Sequence, residues 1–253
     1  MAYELNNVIV ERKHKKIYRD GDSVIKLFDE TYTTSDILNE ALNHARAQET
    51  ELNVPKLKEV LKIDGKWAIV TEFIEGSTIS DLVGSNPEKF DEYMEKFVKL
   101  QAMVHSKKCA LMNKHWDKMN RKICEAEIDS ATRYELLMRL NSFNKQYSIC
   151  HGDFNPNNII ITPEGEAYIL DWSHVTQGDP CADVARTYLM LSLKISEDMA
   201  KKYLKAFCIE TGADSRRVYE WLPIVACSQL VKKVSDPQEQ ALLRNWINVV
   251  DYE

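Results

Sequence analysis

The stretch HGDFNPNNIIITPEGEAYILDW, residues 151–172, constrains this chain more than any other. It reads as a loop, a β run Asn158-Ile159-Ile160-Ile161, a Pro-Glu-Gly-Glu turn, and a second β run Ala167-Tyr168-Ile169-Leu170. Apolar β runs on either side of a Pro/Gly turn are the signature of a short hairpin. His151, Asp153 and Asn158 stand on the segment that enters the hairpin, and Asp171 on the end that leaves it. Two carboxylates and an amide are thereby gathered at one mouth. Phosphoryl transfer needs that set: an oxygen to receive the proton of an attacking hydroxyl, and hard oxygen ligands for magnesium. The plainer alternative is a surface hairpin rich in Asn and Asp, which favour turns anyway.

The rest of the composition narrows the setting. At 253 residues the chain can bury a substantial core as one domain or two lobes. With 44% hydrophobic and 28% charged residues it reads as a soluble globular protein. A net charge of -6 argues against a general nucleic-acid binder, though not against a local basic patch. No apolar run is long enough to span a bilayer, no secretory signal is visible, and Met1 reads as an intact start. Six cysteines are scattered without a Cys-x-x-Cys pair, which suits a reducing compartment, the cytoplasm, better than a disulfide framework or zinc site.

His151-x-Asp153-x-x-x-x-Asn158, followed by Asp171-Trp172-Ser173 and by the run Gly178-Asp179-Pro180-Cys181-Ala182-Asp183-Val184-Ala185-Arg186, resembles the aminoglycoside phosphotransferase and choline kinase-like family. These are small-molecule relatives of the protein kinases, whose own loop reads H-R-D-x-x-x-x-N and whose metal motif reads D-F-G. The resemblance is strongest over 149–190 and extends from about residue 8 to the last helices. It implies an α+β, protein-kinase-like two-lobed fold. Residues 1–75 would form a small antiparallel β-sheet lobe with one helix, binding the nucleotide and ending in a hinge. Residues 76–253 would form a larger, mainly helical lobe with the catalytic loop and the acceptor pocket.

The first third carries strand signals at Asn7–Glu11, Lys16–Arg19, Ser23–Phe28, Pro55–Val60 and Lys66–Phe73, with Asp20-Gly21-Asp22 as a turn. Ser35 or Asp36 is expected to cap a helix running to about Glu51, with Ile37, Leu38, Ala41, Leu42 and Ala45 on one face. Lys26 follows Val24 and Ile25 as the kinase strand lysine follows its apolar partners, and Glu40 lies where its ion-pair partner would be. The turn Glu11-Arg12-Lys13-His14-Lys15 has no glycine, so it is either a side-chain phosphate cradle or a solvated hairpin tip. Glu72, Phe73 and Ile74 resemble the hinge that reads an adenine edge through its backbone.

Beyond the hinge the pattern is helical. Pro87, capped by Ser85 or Asn86, is expected to open a helix that ends at a structural His105. Residues 112–146 form one or two amphipathic helices, which by resemblance help build the acceptor pocket. Trp116, Tyr134 and Trp221 are candidate walls for that pocket, or simply core. Asp179 and Pro180 open a helix through Leu193, and Asp236-Pro237-Gln238-Glu239 reads as a capping box. Asp183 sits in a first turn that suits a carboxylate, and the resemblance makes it a brace for the catalytic loop.

Taken together, the resemblance implies an ATP-dependent, Mg2+-requiring transfer of the γ-phosphate to a small hydroxyl compound: an aminoglycoside, an amino alcohol such as choline, or a sugar. GTP could replace ATP. Asp153 would be the base and His151 would hold the loop. Asn158 and Asp171 would bind the metal, while Lys26 and Glu40 would position the phosphates. No membrane or nucleic-acid partner is expected, and the oligomeric state stays open. Gly152, in place of the kinase arginine, and the short path from Trp172 to Gly178 speak against a protein kinase. A nucleotide-binding scaffold is the other alternative.

Overall fold

A computed structural model of the chain describes residues 3–232 and 236–248. Met1, read above as the start, lies outside them. The chain packs into two compact units, each built from two stretches: Met1–Pro87 with Asn155–His174, and Glu88–Phe154 with Val175–Glu253.

In the first unit, β1 (Val8–Arg12), β2 (Lys15–Asp20) and β3 (Ser23–Phe28) run as successive hairpins. After α1 (Thr34–Gln48), β4 (Leu57–Ile63) and β5 (Lys66–Glu72) complete an antiparallel sheet of order β1-β2-β3-β5-β4. Alternation along β5 sorts its side chains, as the two-residue period of a strand requires. Ala68 and Val70 join Tyr18 and Ile25 on one face, while Ile69 joins Phe28 with Ile37 and Ala41 of α1 on the other.

The helix start differs from the expectation. Thr33, not Ser35 or Asp36, is the cap: its hydroxyl accepts the Asp36 N–H at 3.1 Å, and the Asp36 carboxylate accepts the Thr33 N–H at 3.2 Å. Asp36 is therefore the return half of a capping box. The buried face also differs. Leu38 and Leu42 are each 47% exposed, and Asn43 and His44 are buried in their place. Both polar side chains find backbone partners, Asn43 Nδ2 donating to Ser173 O at 3.3 Å and His44 Nε2 lying 2.6 Å from Pro55 O.

The chain leaves β5 through Gly76 into β6 (Ser77–Thr78) and α2 (Ile79–Ser85). Gly76 is required by space and conformation: φ is 153°, and a Cβ there would stand 2.3 Å from the carbonyl oxygen of Ile161. A single 3-10 turn, Pro87–Lys89, straddles the boundary of the two units, so Pro87 starts that turn rather than the helix. In the second unit, α3 (Phe90–Ser106), α4 (His115–Glu125) and α5 (Ser130–Ser142) lead to β7 (Ser148–Cys150).

The polypeptide returns to the first unit with β8 (Ile159–Ile161) and β9 (Ala167–Ile169), which extend β6 into a second antiparallel sheet of order β6-β8-β9. Asn158 closes a 3-10 turn, Pro156–Asn158, instead of opening the strand, because the Asn155 side chain accepts the Asn157 N–H at 3.0 Å and curls the chain there. β10 (Thr176–Gly178) then pairs with β7 in the second unit. It is followed by α6 (Pro180–Lys194, capped by Asp179), α7 (Glu197–Thr211), α8 (Ser215–Leu230) and α9 (Pro237–Asn248). Asp236 accepts the Gln238 N–H at 2.8 Å, but Glu239 pairs with Lys194 at 2.6 Å instead of closing the expected capping box. Phe97, Phe154 and Tyr203 form the aromatic centre of this unit, with ring centroids 4.8 and 5.7 Å from Phe97.

The expected α+β class, with a small antiparallel sheet and a mainly helical part, is what the chain adopts. Among the described residues no helix is long and apolar enough to cross a membrane. Gly76→Ala is expected to cost about 1–3 kcal/mol, since the added methyl must push into the β8 backbone. A lowered midpoint in thermal denaturation, followed by circular dichroism, checks it; an unchanged midpoint would contradict the packing described.

Candidate active site

In the first unit, β3 delivers Lys26 and α1 delivers Glu40, with Lys26 Nζ 2.5 Å from Glu40 Oε1. The same ammonium lies 3.2 Å from Asp171 Oδ1, across 145 residues of sequence. Burial works against the charge on Lys26, but Asp171 and Glu40 outweigh it and raise the ammonium above its ordinary range. Burial likewise opposes charge on Asp171, yet Lys26 and Lys15 hold its carboxyl well below the usual carboxylate range. Asp171 takes a left-handed backbone, φ 59°, unusual for a residue with a side chain. It is pinned from both sides: Trp172 is buried with Nε1 donating to Ile169 O at 2.9 Å, and α1 holds Ser173 through Asn43.

The glycine-free turn divides between its two readings. Glu11, Arg12 and Lys13 are exposed. Lys15 turns inward, 12% exposed, with Nζ 3.8 Å from Asp171 Oδ2. Burial and the neighbouring Lys26 lower its pKa. Of the three hinge residues, the Glu72 N–H donates to Lys56 O and the Phe73 N–H to Asp22 O, both at 2.8 Å, and Ile74 is buried. An adenine edge read here would use groups other than those two amides.

Asn158 is buried, and its carbonyl accepts the Leu170 N–H at 2.8 Å, which ties it to the strand end that carries Asp171. Among the described residues no three His, Cys, Asp or Glu cluster into a metal cage. One carboxylate held anionic and one amide are nevertheless the modest protein share that magnesium takes when phosphates and waters fill its remaining positions. Asp171 and Asn158 fit that donor set.

In the second unit, the loop after β7 is held by α6. The Asp183 carboxylate accepts the N–H of Gly152 at 2.7 Å and of His151 at 3.1 Å, and lies 2.9 Å from His105 Nε2. Burial would raise the pKa of Asp183, but His105 and His151, with the Gly152 N–H, bring it down to about 2. His151 is fully buried, and its Nδ1 accepts the Asp153 N–H at 3.2 Å. One turn further along α6, Thr187 donates to Phe154 O at 3.0 Å and accepts from Gln101, which in turn accepts from Tyr203 at 2.5 Å. Between them, Arg186 Nη2 stands 3.9 Å from Asp153 Oδ1. Positions 183, 186 and 187 share one helix face, so a single face of α6 supports residues 151–154.

Sequence reasoning did not single out Lys15, Arg186 or Thr187, nor the partner of His105. The spacing of 183, 186 and 187 was visible, but nothing in it says which loop that face meets. Trp116 and Trp221 line a cavity of about 100 Å³ with His115, Phe143, Lys145 and Asp179, whereas Tyr134 is 65% exposed and lies outside it. His115 and Trp221 there are largely packing: Phe143 stacks on Trp221 at 4.3 Å.

Comparison with known proteins gives a consistent result. A family model described as "Phosphotransferase enzyme family" matches residues 12–222. Among solved structures, aminoglycoside phosphotransferase APH(4)-Ia is similar at a TM-score of 0.70 and 13% identity, covering 95% of this chain and 90% of that one. A thermostable mutant of it was solved with AMP-PNP and hygromycin B, at a TM-score of 0.71 and 13% identity over 97% of this chain and 93% of that one. The choline kinase LicA from Streptococcus pneumoniae matches at 0.64 and 14% identity, covering 98% of this chain and 93% of that one. At such identities the likeness shows the fold. No curated protein matches the sequence.

Asp183→Asn removes a buried charge and leaves two loop N–H groups facing an amide, and is expected to cost about 3–5 kcal/mol. Because the folded pKa, about 2, is below the ordinary carboxylate value, Asp183 contributes stability above about pH 4 that is lost as pH falls toward 2. Urea titrations between pH 7 and pH 2 check both points: the gap between wild type and variant should close on acidification.

Proposed function

The chain belongs to the phosphotransferase enzyme family, and we propose that it moves the γ-phosphate of ATP to a hydroxyl of a small molecule. The observation that carries this reading is the Lys26 ammonium held between Glu40 and Asp171. A cation fixed in this way, with Lys15 beside the same carboxylate, is prepared to receive phosphate oxygens without reorganising. The AMP-PNP complex of a relative with the same fold supports a nucleoside triphosphate as donor. GTP would satisfy the same groups.

In this reading Asp153 receives or orients the proton of the acceptor hydroxyl. His151 fixes the Asp153 backbone, and Asp183 and Thr187 fix the loop on either side of it. Lys26 and Lys15 position and neutralise the nucleotide phosphates. Magnesium held by Asp171 and Asn158 would supply charge neutralisation between the β- and γ-phosphates. Little covalent chemistry is asked of the protein, because phosphoryl transfer is governed by positioning and electrostatics. Residues 1–75 would bind the nucleotide, and 76–253 would supply the catalytic loop, the metal ligands and the acceptor pocket. Six free thiols suit a cytoplasmic setting.

Asp153→Asn is expected to lower kcat by about 10²–10⁴-fold while leaving nucleotide affinity near that of the wild type. ADP release across amino alcohols, sugars, hydroxy acids and aminoglycosides, with both nucleotides, measures the first. Calorimetry with AMP-PNP measures the second. Undiminished turnover by the variant would rule out Asp153 as the base. Tight nucleotide binding with no transfer to any acceptor would favour a nucleotide-binding scaffold.

A further inference from the structure

In the first unit, two lysines face the two oxygens of one carboxylate. Lys26 Nζ lies 3.2 Å from Asp171 Oδ1, and Lys15 Nζ lies 3.8 Å from Asp171 Oδ2. The strand register brings the lysines together. Lys15 opens β2 opposite Phe28, two residues along β3 from Lys26, so the two-residue period turns both side chains to one face of the sheet. The backbone beside Lys15 is tied down separately: the Asp29 N–H donates to His14 O at 3.1 Å, and His14 Nδ1 lies 3.0 Å from Asp29 Oδ2.

The two lysines are not held equally. Lys26 also donates to Glu40 at 2.5 Å. Asp171 is the single partner of Lys15 within ion-pair range, and 3.8 Å is too long for a hydrogen bond, so charge attraction alone holds the contact. Magnesium takes carboxylate oxygens at about 2.1 Å. A divalent ion on Asp171 and an ammonium on the same carboxylate repel at close range, where little water screens them. One lysine has to give way, and Lys15 is the one without a second anion. Its flexible four-carbon stem can swing while the backbone of the turn stays tied to Asp29.

We propose that Lys15 is an exchangeable latch on Asp171: its ammonium holds the metal-binding carboxylate until magnesium arrives with the nucleotide, and then leaves it for the phosphates. The inference rests on the phosphotransfer reading above, in which Asp171 holds magnesium. It follows that a divalent ion alone binds weakly, because it must displace Lys15 without offering the ammonium another anion. The metal–nucleotide complex displaces Lys15 and supplies that anion.

The two halves of the exchange move in opposite directions when Lys15 is neutralised. Lys15→Met should bind Mn2+ alone about 10-fold more tightly than the wild type, read by electron paramagnetic resonance. The same variant should bind AMP-PNP with Mg2+ about 10-fold less tightly, read by calorimetry. Lys15→Gln should reproduce both shifts and serves if the methionine variant fails to fold. Unchanged or weaker Mn2+ binding would overturn the latch and leave the phosphotransfer reading standing, with Lys15 a phosphate ligand alone. Tighter Mn2+ binding with no loss of AMP-PNP affinity would overturn the exchange. Lys13→Gln, at an exposed neighbour, should move neither constant; equal shifts there would overturn the inference by reducing it to net charge. Asp171→Asn should abolish the Mn2+ site, and Mn2+ binding that survives it would overturn both the latch and the metal role of Asp171. Failure of the wild type to bind AMP-PNP with Mg2+ would overturn the latch and the phosphotransfer reading together.

Discussion

The carboxylate of Asp183 is buried and charged, which is affordable only because three donors converge on it. It also lies in the first turn of α6, where the helix dipole favours a negative charge. Much else in the second unit follows from that arrangement. With the N–H groups of His151 and Gly152 fixed, the next N–H, that of Asp153, falls on His151 Nδ1. With α6 fixed against the loop, Thr187 meets Phe154 O, and through Gln101 and Tyr203 the same contact is joined to α3 and α7. The Asp153 side chain is thus carried on backbone held by hydrogen bonds on both flanks, while the side chain itself is 30% exposed.

The first unit meets a different demand. Lys15, Lys26, Glu40 and Asp171 are all largely shielded from water, so their charges act on one another with little screening. Two positive and two negative groups balance within the cluster. The left-handed conformation of Asp171 stores a modest strain of the kind that accumulates at functional positions.

How much of this could be read from the sequence depended on how local each signal was. The segment 151–172 compresses its candidate residues into a short hairpin, so the hairpin and the candidates at its mouth were legible together. Lys26 was legible because its strand neighbours mark it. The buried face of α1 was misjudged because periodicity rewards apolar residues, and here Asn43 and His44 are buried with backbone partners while Leu38 and Leu42 face solvent. Lys15 was hidden inside a charged turn whose Glu11, Arg12 and Lys13 are exposed. Arg186 and Thr187 stand in the very helix that the motif run opens, but their importance comes from the loop they face, which is a tertiary fact. Asn158 was placed in a strand because its neighbours are β-formers, and the Asn155 side chain decided otherwise.

The interleaving of the two units has a consequence for how this protein is born. The first unit draws on Asn155–His174, so its second sheet lacks β8 and β9, and its charge cluster lacks Asp171, until most of the chain has left the ribosome. The stretch 88–154 emerges in between, before either unit has all of its parts. Closing a loop of that length costs entropy that grows only slowly with size, so the equilibrium penalty is modest. The delay is kinetic: contacts this distant in sequence form late. Until then the nascent chain carries Lys26 and Glu40 without their distant carboxylate partner, so the charge cluster is completed by a residue made long after the strand and helix that it joins.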